Sequence, residues 1–342
     1  MPAKLKWGVL GVARIATEKV IPAMQRGTRA EIAAIASRDL DKARAAAAML
    51  AIPKAYGSYE ALLADPEIDA VYNPLPNHLH VPWSIRAAEA GKHVLCEKPI
   101  GMNAAEAREL LAARDRTGVK VQEAFMVRTH PQWLQAIEIA RSGELGRLQS
   151  YMGYFSYFND DAGNIRNIES YGGGALMDVG CYLSTTSRMV FGEPPRRVSA
   201  LIARDPVQRV DTVTSMMLDY PSGQAIGTCS TRIVPFQRVE LFGTRGRLEI
   251  EIPFNAPNDR PCRIVVDDGR DPSRYGRDGF SVETQDEYQV ETCDQYRIQG
   301  DLFSQAVQEQ REVPYPLEES VLNMRVIDAL FRSAGSGRWE TP

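Results

Sequence analysis

Gly8-Val9-Leu10-Gly11-Val12-Ala13-Arg14-Ile15-Ala16 closes the apolar run Leu5–Leu10 and leads into a helical pattern over Ile15–Met24. Its core is a relaxed Gly-x-Gly-x-x-Gly fingerprint, with Ala13 and Ala16 in the second and third glycine places. Gly11 permits the tight turn. Ala13 still lets the backbone approach a pyrophosphate, and Ala16 lets the helix lie close on the strand. The helix start offers free N–H groups and the positive end of its dipole to phosphate. A short Gly/Ala turn alone fits many α/β loops. Its place at the first strand-to-helix turn makes it a dinucleotide cradle, with Gly11, Ala13, Arg14 and Ile15 at the cofactor.

The elements beyond it agree. Glu31–Ala36, Asp69–Asn73, His93–Cys96 and Val119–Ala124 read as strands, separated by helical patterns at Asp41–Leu50, Tyr59–Ala64, Val81–Ala90 and from Asn103 to Gly118. Asp39, Ser58 and Asn103 are expected N-caps, Asn103 with Glu106 forming a capping box. Strands alternating with helices imply right-handed crossovers and a parallel sheet. Where an NAD-selective fold carries an acidic residue, about 20 residues past the loop, this chain has Ala36-Ser37-Arg38. The Ser37 hydroxyl and Arg38 guanidinium suit a 2′-phosphate, so NADP is favoured over NAD.

After about residue 125 the texture changes. A helix over His130–Arg141 precedes long alternating runs: Leu148–Phe158, Val198–Ala203, Thr212–Asp219, Gln224–Thr231, Arg238–Phe242, Arg247–Ile252 and Arg263–Val266. Pro221-Ser222-Gly223, Gly243-Thr244-Arg245-Gly246 and Asp267-Asp268-Gly269 are hairpin connectors. The fold class is therefore α/β: an N-terminal Rossmann domain with a parallel sheet over 1–125, then a C-terminal α/β domain with an open, mostly antiparallel sheet over 126–342. Helices are expected near Asp178–Val190, Asp301–Gln310 and Leu317–Ser333.

The 342 residues are 44% apolar and 25% charged, enough for two sizeable cores, which excludes disorder, collagen and coiled coil as the main state. No run approaches the roughly 18–20 apolar residues of a membrane helix. Forty basic residues against 44 acidic give a net charge of −4 and no electrostatic reason to bind nucleic acid or an anionic membrane. The five cysteines, Cys96, Cys181, Cys229, Cys262 and Cys293, are dispersed and form no Cys-x-x-Cys. With no apolar signal core before the first strand, a cytoplasmic protein with reduced, mostly buried thiols is expected.

In an open parallel sheet, ligands sit beyond the strand C-termini. Besides the first loop, two unusual stretches fall there: Asn73-Pro74-Leu75-Pro76-Asn77-His78-Leu79-His80 and Cys96-Glu97-Lys98-Pro99. Pro99 restricts Lys98, and a cis bond there would aim its amine into the cleft. His78 and His80 form His-x-His without a third ligand, so no metal is expected.

These residues resemble the Gfo/Idh/MocA family, named for glucose–fructose oxidoreductase and inositol dehydrogenase. The resemblance runs over the whole chain. It is carried by Gly8–Ala16, Pro76-Asn77-x-x-His80, Gly91-Lys92-His93-Val94-Leu95-Cys96-Glu97-Lys98-Pro99, Glu123-Ala124-Phe125-Met126-x-Arg128-x-His130-Pro131 and Gly172-Gly173-Gly174-Ala175-Leu176-Met177-Asp178-Val179-Gly180-Cys181-Tyr182. Tyr182, where many members have His, places the chain nearer the branch with D-xylose dehydrogenase, dihydrodiol dehydrogenase, glucose–fructose oxidoreductase and aldose–aldose oxidoreductase. The resemblance implies a catalytic Lys98 and Tyr182, with Asp178 orienting substrate or Lys98. It implies cofactor contacts from Pro74, Leu75, Asn77, His80, Glu97, Lys98, Arg128, Ile165 and Arg166, and substrate contacts from Lys98, Arg166, Asp178 and Tyr182. Arg128 and His130 are expected at the cleft mouth, each with a purely structural alternative. Tyr157 and Phe158 are read as core, with a sugar-stacking wall as the alternative. In the family the open sheet face is often an oligomer interface, so a homodimer or higher homo-oligomer is expected.

Asp178 and Tyr182, spaced i,i+4, share one face of a helix. A phenol is a poor base at a reference pKa of about 10. The Lys98 ammonium would lower that value, letting Tyr182 take the proton of a sugar hydroxyl as hydride leaves the same carbon. An aldose 1-dehydrogenase using NADP, xylose- or glucose-like and forming the lactone, is the favoured reading. The N-terminal arm that helps hold NADP in glucose–fructose oxidoreductase has no counterpart before Leu5, which favours an exchanging cofactor over an aldose–aldose reaction with retained NADP. A reductase or dehydrogenase of dihydrodiols or small carbonyls is a further alternative. A non-catalytic NADP-sensing regulator would be expected to lose the lysine, which is present.

Overall fold

A computed structural model describes residues 3–267 and 286–342. Residues 268 and 269 of the expected Asp267-Asp268-Gly269 connector lie outside these. Two compact units result: Met1–Met126 with Asp294–Met324, and Val127–Cys293 with Arg325–Pro342.

The first unit is built on six strands: β1 Leu5–Leu10, β2 Ala30–Ala36, β3 Lys54–Tyr56, β4 Ala70–Asn73, β5 His93–Cys96 and β6 Val121–Glu123. They run parallel in the order β3-β2-β1-β4-β5-β6, the doubly wound arrangement. β1 and β4 are almost wholly buried, so both strands read as continuous apolar runs. Between the strands lie α1 Ile21–Gln25, α2 Leu40–Met49, α3 Tyr59–Leu63, α4 His80–Glu89 and α5 Ala104–Thr117. The expected caps form: Asp39 accepts from Asp41 and Lys42, Ser58 from Ala61, and Asn103 from Ala105 and Glu106. Glu106 itself reaches back to the Met102 N–H at 2.9 Å, not to that of Asn103, so the capping box is displaced by one residue.

The cut near 126 recurs between Met126 and Val127, but the assignment of all of 126–342 to one domain is corrected by the return of the chain. α8, Gln295–Gln308, belongs to the first unit. Phe303 packs on Trp7 with ring centroids 5.3 Å apart, and the Trp7 indole donates to Ser304 at 3.1 Å. Asp301 accepts from the Arg29 N–H at 2.9 Å. α8 also starts six residues before the expected Asp301, capped by Asp294.

Among the described residues, the second unit contains α6 Pro131–Ser142, α7 Cys181–Phe191 and eight strands: β7 Leu148–Phe158, β8 Arg197–Arg204, β9 Asp211–Asp219, β10 Gln224–Ser230, β11 Arg232–Gly243, β12 Arg247–Ile250, β13 Cys262–Asp267 and β14 Asp286–Val290. Their order is β14-β13-β12-β11-β7-β10-β9-β8. β7 and β10 pair in parallel and every other neighbour is antiparallel. One face is buried under α7, whose side chains are nearly all inaccessible. The opposite face leaves Leu201, Met217, Ile226 and Phe236 exposed along a groove of about 710 Å³. The last helix, α9, spans Leu317–Ser336. All five cysteines are thiols outside any disulfide; four are buried and Cys293 is partly so.

Candidate active site

The nucleotide loop of the first unit has the geometry its residues imply. Gly11 takes φ +95°, open to glycine at little cost, and its N–H donates to the Ala36 carbonyl at 2.8 Å. A Cβ there would stand 3.0 Å from Leu75 Cδ2 and 3.6 Å from the Tyr59 hydroxyl. The helix that follows opens with a π turn, Ala16–Val20, before α1. The first N–H groups of such a helix have no acceptor within it, so the backbone at Ala13, Arg14 and Ile15 fits a pyrophosphate. The Arg14 side chain is turned away to an ion pair with Glu18 at 2.9 Å. At the end of β2, Ser37 accepts from the Asp39 N–H at 3.2 Å, and Arg38 is exposed beside the Tyr59 phenol.

The ends of β4 and β5 converge through Tyr72, which the sequence did not single out. Tyr72 donates to Glu97 Oε1 at 2.6 Å, and Glu97 Oε2 accepts from the Lys98 N–H at 3.2 Å. The Lys98–Pro99 bond is cis, and the Ile100 N–H donates to Glu123 at 2.8 Å. Tyr296, on α8, lies within the fields of Glu97 and Lys98. Burial first, then Glu97, push its phenol up, while Lys98 opposes them. Pro74 and Leu75 are buried, and Asn77 opens a 3-10 turn at Asn77–Leu79.

His80 is corrected. It is fully buried, with Nδ1 2.7 Å from the Pro99 carbonyl and Nε2 2.6 Å from that of Leu75. The ring nitrogens face these two carbonyls and the neutral ring donates its one N–H to one of them, so His80 braces the Leu75 and Pro99 turns instead of offering a group to a cofactor. Burial lowers its pKa to about 4.

In the second unit, Gly174 at φ +114° ends the glycine run. A π turn, Leu176–Gly180, then leads into α7. Asp178 and Tyr182 are therefore not on one regular α-helical face as expected. Asp178 lies in the wider turn and Tyr182 in the first turn of α7, and such π turns recur at functional sites. The Asp178 carboxylate pairs with Arg166 Nε at 3.0 Å and accepts the Tyr157 hydroxyl at 2.5 Å. Its side chain is only 12% exposed against 40% for Arg166. Asn164 caps the 3-10 turn Ile165–Asn167 by accepting from the Arg166 N–H, which leaves Ile165 exposed. The Tyr182 ring packs against the stacked pair Phe155 and Phe254, at centroid distances of 5.5 and 5.3 Å.

Tyr157 is thus a polar partner of Asp178 and Phe158 is 59% exposed, so neither is core. Arg128 is half-buried in the 3-10 turn Met126–Thr129. His130 is fully buried: Nδ1 caps α6 by accepting from Gln132, and Nε2 is 3.3 Å from Cys293 Sγ. Its role is structural. Tyr59, Tyr72, Tyr296 and Asp211 escaped the sequence reading because each meets its partner across a long stretch of chain.

Residues 5–125 match the family model described as an oxidoreductase family with an NAD-binding Rossmann fold, and residues 133–249 match the GFO/IDH/MocA C-terminal domain. The oxidoreductase ORF334 of Rhizobium meliloti is 47% identical, over 98% of this chain and 99% of its own. D-xylose 1-dehydrogenase (NADP(+)) 2 of Haloferax volcanii is 41% identical, over 97% and 98%. Among solved structures, KijD10, a 3-ketoreductase from Actinomadura kijaniata in complex with NADP and TDP-benzene, superimposes with a TM-score of 0.88 at 27% identity, over 97% of this chain and 98% of that one.

Proposed function

The chain belongs to the Gfo/Idh/MocA oxidoreductase family, and we propose that within it this enzyme is an NADP-dependent aldose 1-dehydrogenase, acting on a xylose- or glucose-like sugar. The carrying observation is 41% identity over nearly full length to an NADP-dependent D-xylose 1-dehydrogenase. The residues of the first unit fit the dinucleotide: a glycine at φ +95° at Gly11, free helix-start N–H groups, and Ser37 with Arg38 following β2. The nearest carboxylate, Asp39, already accepts two N–H groups as the α2 cap, which leaves it poorly placed to hold a ribose diol.

NADP, when bound, supplies the hydride acceptor. Tyr182 takes the proton of the C1 hydroxyl as the C1–H bond breaks, leaving a C1 carbonyl, the lactone. The Lys98 ammonium stabilises the phenolate that does this work. Arg166 and Tyr157 hold Asp178 in a fixed orientation, and Asp178 accepts a hydrogen bond from the sugar. In the reverse direction Tyr182 returns the proton to a keto oxygen.

A panel of D-xylose, D-glucose, other aldoses, polyols and dicarbonyls, each with NADP(H) and NAD(H), tests the reading through the absorbance of reduced nicotinamide. NADP reduction by an aldose with lactone as product is expected. Turnover confined to polyols or dicarbonyls contradicts it. Arg38→Ala is expected to raise the Kd for NADPH by about 10–100-fold and that for NADH by less than about threefold, as loss of a charged phosphate contact should. Equal losses remove Arg38 from the 2′-phosphate.

The enzyme is further proposed to work in the cytoplasm as a homodimer or larger homo-oligomer, paired through the open face of the second sheet. Leu201 is 78% exposed there, and Met217, Ile226 and Phe236 are each near one half. A contiguous apolar patch of this kind marks an association surface. Leu201→Asp with Met217→Asp is expected to convert the assembly to monomer in light scattering after size exclusion; an unchanged mass places the interface elsewhere. No described helix is long and apolar enough to cross a membrane.

A further inference from the structure

We infer that Asp211 is a positioning residue for the proposed reaction, holding the π turn that carries Asp178 and leads to Tyr182; the inference rests on the reading that Tyr182 moves the proton. Asp211 opens β9 and is 1% exposed. Its Oδ2 accepts the Leu176 N–H at 2.7 Å and the Thr214 hydroxyl at 2.9 Å. Leu176 is the first residue of the turn, so a buried carboxylate sits on the positive start of the helix. A buried carboxylate without such donors would be strongly disfavoured.

The preceding glycine is shaped to this contact. A Cβ on Gly174 would stand 2.0 Å from Asp211 Oδ1, and its φ of +114° is itself one that a side chain rarely adopts. Downstream, the Asp178 N–H donates to the Gly174 carbonyl at 3.0 Å. Gly180 lies over the Cys229 thiol, where a Cβ would stand 2.7 Å from Sγ. The segment is thus pinned at Leu176 and pressed on its sheet at Gly180.

The register of the turn gives this pin its chemical consequence. A π turn holds one residue more than an α turn. If the Leu176 anchor is lost, the extra residue is free to move along the segment. Each one-residue slip rotates the residues it passes by about 100°. Asp178 would then turn away from Arg166 and Tyr157 while Tyr182 stayed packed against Phe155 and Phe254. Asp211 touches no substrate in this account. It acts through the turn.

Hydrogen exchange by mass spectrometry over residues 174–182, NADPH binding by fluorescence, and kinetics with D-xylose and NADP test this in Asp211→Ala, Asp211→Asn and Gly174→Ala. In Asp211→Ala, exchange over that peptide should quicken at least ~10-fold and kcat/KM for the sugar should fall ~100-fold, with the NADPH Kd changed less than about twofold. Asp211→Asn keeps one acceptor oxygen and should be intermediate. Gly174→Ala displaces the carboxylate and should follow Asp211→Ala; with Asp211→Asn it carries the test if Asp211→Ala does not fold. Native exchange over 174–182 overturns the inference, as does wild-type kcat/KM in Asp211→Ala under conditions where Tyr182→Phe has lost turnover. If Tyr182→Phe keeps its turnover, the proton-transfer reading fails instead, and the exchange data alone decide whether Asp211 anchors the turn.

Discussion

Tyr182→Phe is expected to lower kcat by at least ~100-fold, the lower end of what a positioned general base contributes. The substitution removes one oxygen and nothing else. The ring keeps its packing against Phe155 and Phe254, so the thermal midpoint should stay within a few degrees of the parent. Tyr182 is not among the residues assigned to the dinucleotide, so the NADPH Kd should stay within about twofold. Loss of turnover together with loss of cofactor binding would point to a disturbed fold. Turnover equal to wild type removes the phenol from the chemistry.

Lys98→Met carries the second large effect. Methionine keeps most of the length of the stem and deletes the charge. Without an ammonium to favour phenolate, Tyr182 should titrate higher. The sign follows from the cationic neighbour: it lowers a phenol pKa, so its removal raises it. The rise of kcat/KM with pH should move to more alkaline pH, and kcat at neutral pH should fall ~100- to 1,000-fold. Part of the lost rate should return in alkaline buffer. A fall of equal size at every pH would mean that Lys98 acts on substrate alone, not on Tyr182.

The first unit was largely legible from the chain, because buried parallel strands are short apolar runs bounded by capping residues. β1 and β5 have the bounds their apolar runs define. β3 escaped because three half-buried residues after Pro53 carry no period. β14, Asp-Glu-Tyr-Gln-Val, is an edge strand whose charges guard against further pairing, and they also mask its alternation. α8 was read short because Gly300 looks like a break. In the fold Gly300 is interior, chosen because a Cβ would stand 2.7 Å from Met24 Cγ, and that contact joins residues far apart in sequence.

The site was legible where chemistry sits in contiguous motifs. Gly11, the Glu97-Lys98-Pro99 turn and the triple glycine before Asp178 announced themselves. The π turns did not, since an apolar pattern sampled over five residues cannot separate a wide turn from a regular one. His80 misled because a histidine inside a motif reads as a ligand, while its actual work is to bridge two carbonyls. Tyr72 under Glu97 and Asp211 under Leu176 are side-chain encounters between strands and loops. Local sequence carries no signal for them.

The central proposal is that Lys98 and Tyr182 act together in a single proton transfer. A double-mutant cycle on kcat, using Lys98→Met, Tyr182→Phe and the pair together with the same aldose and NADP, measures this most directly. Groups acting as one unit lose their effect together, so the double variant should be within about threefold of the slower single variant. Losses that multiply, giving a double variant slower by the product of the two single effects, would contradict it.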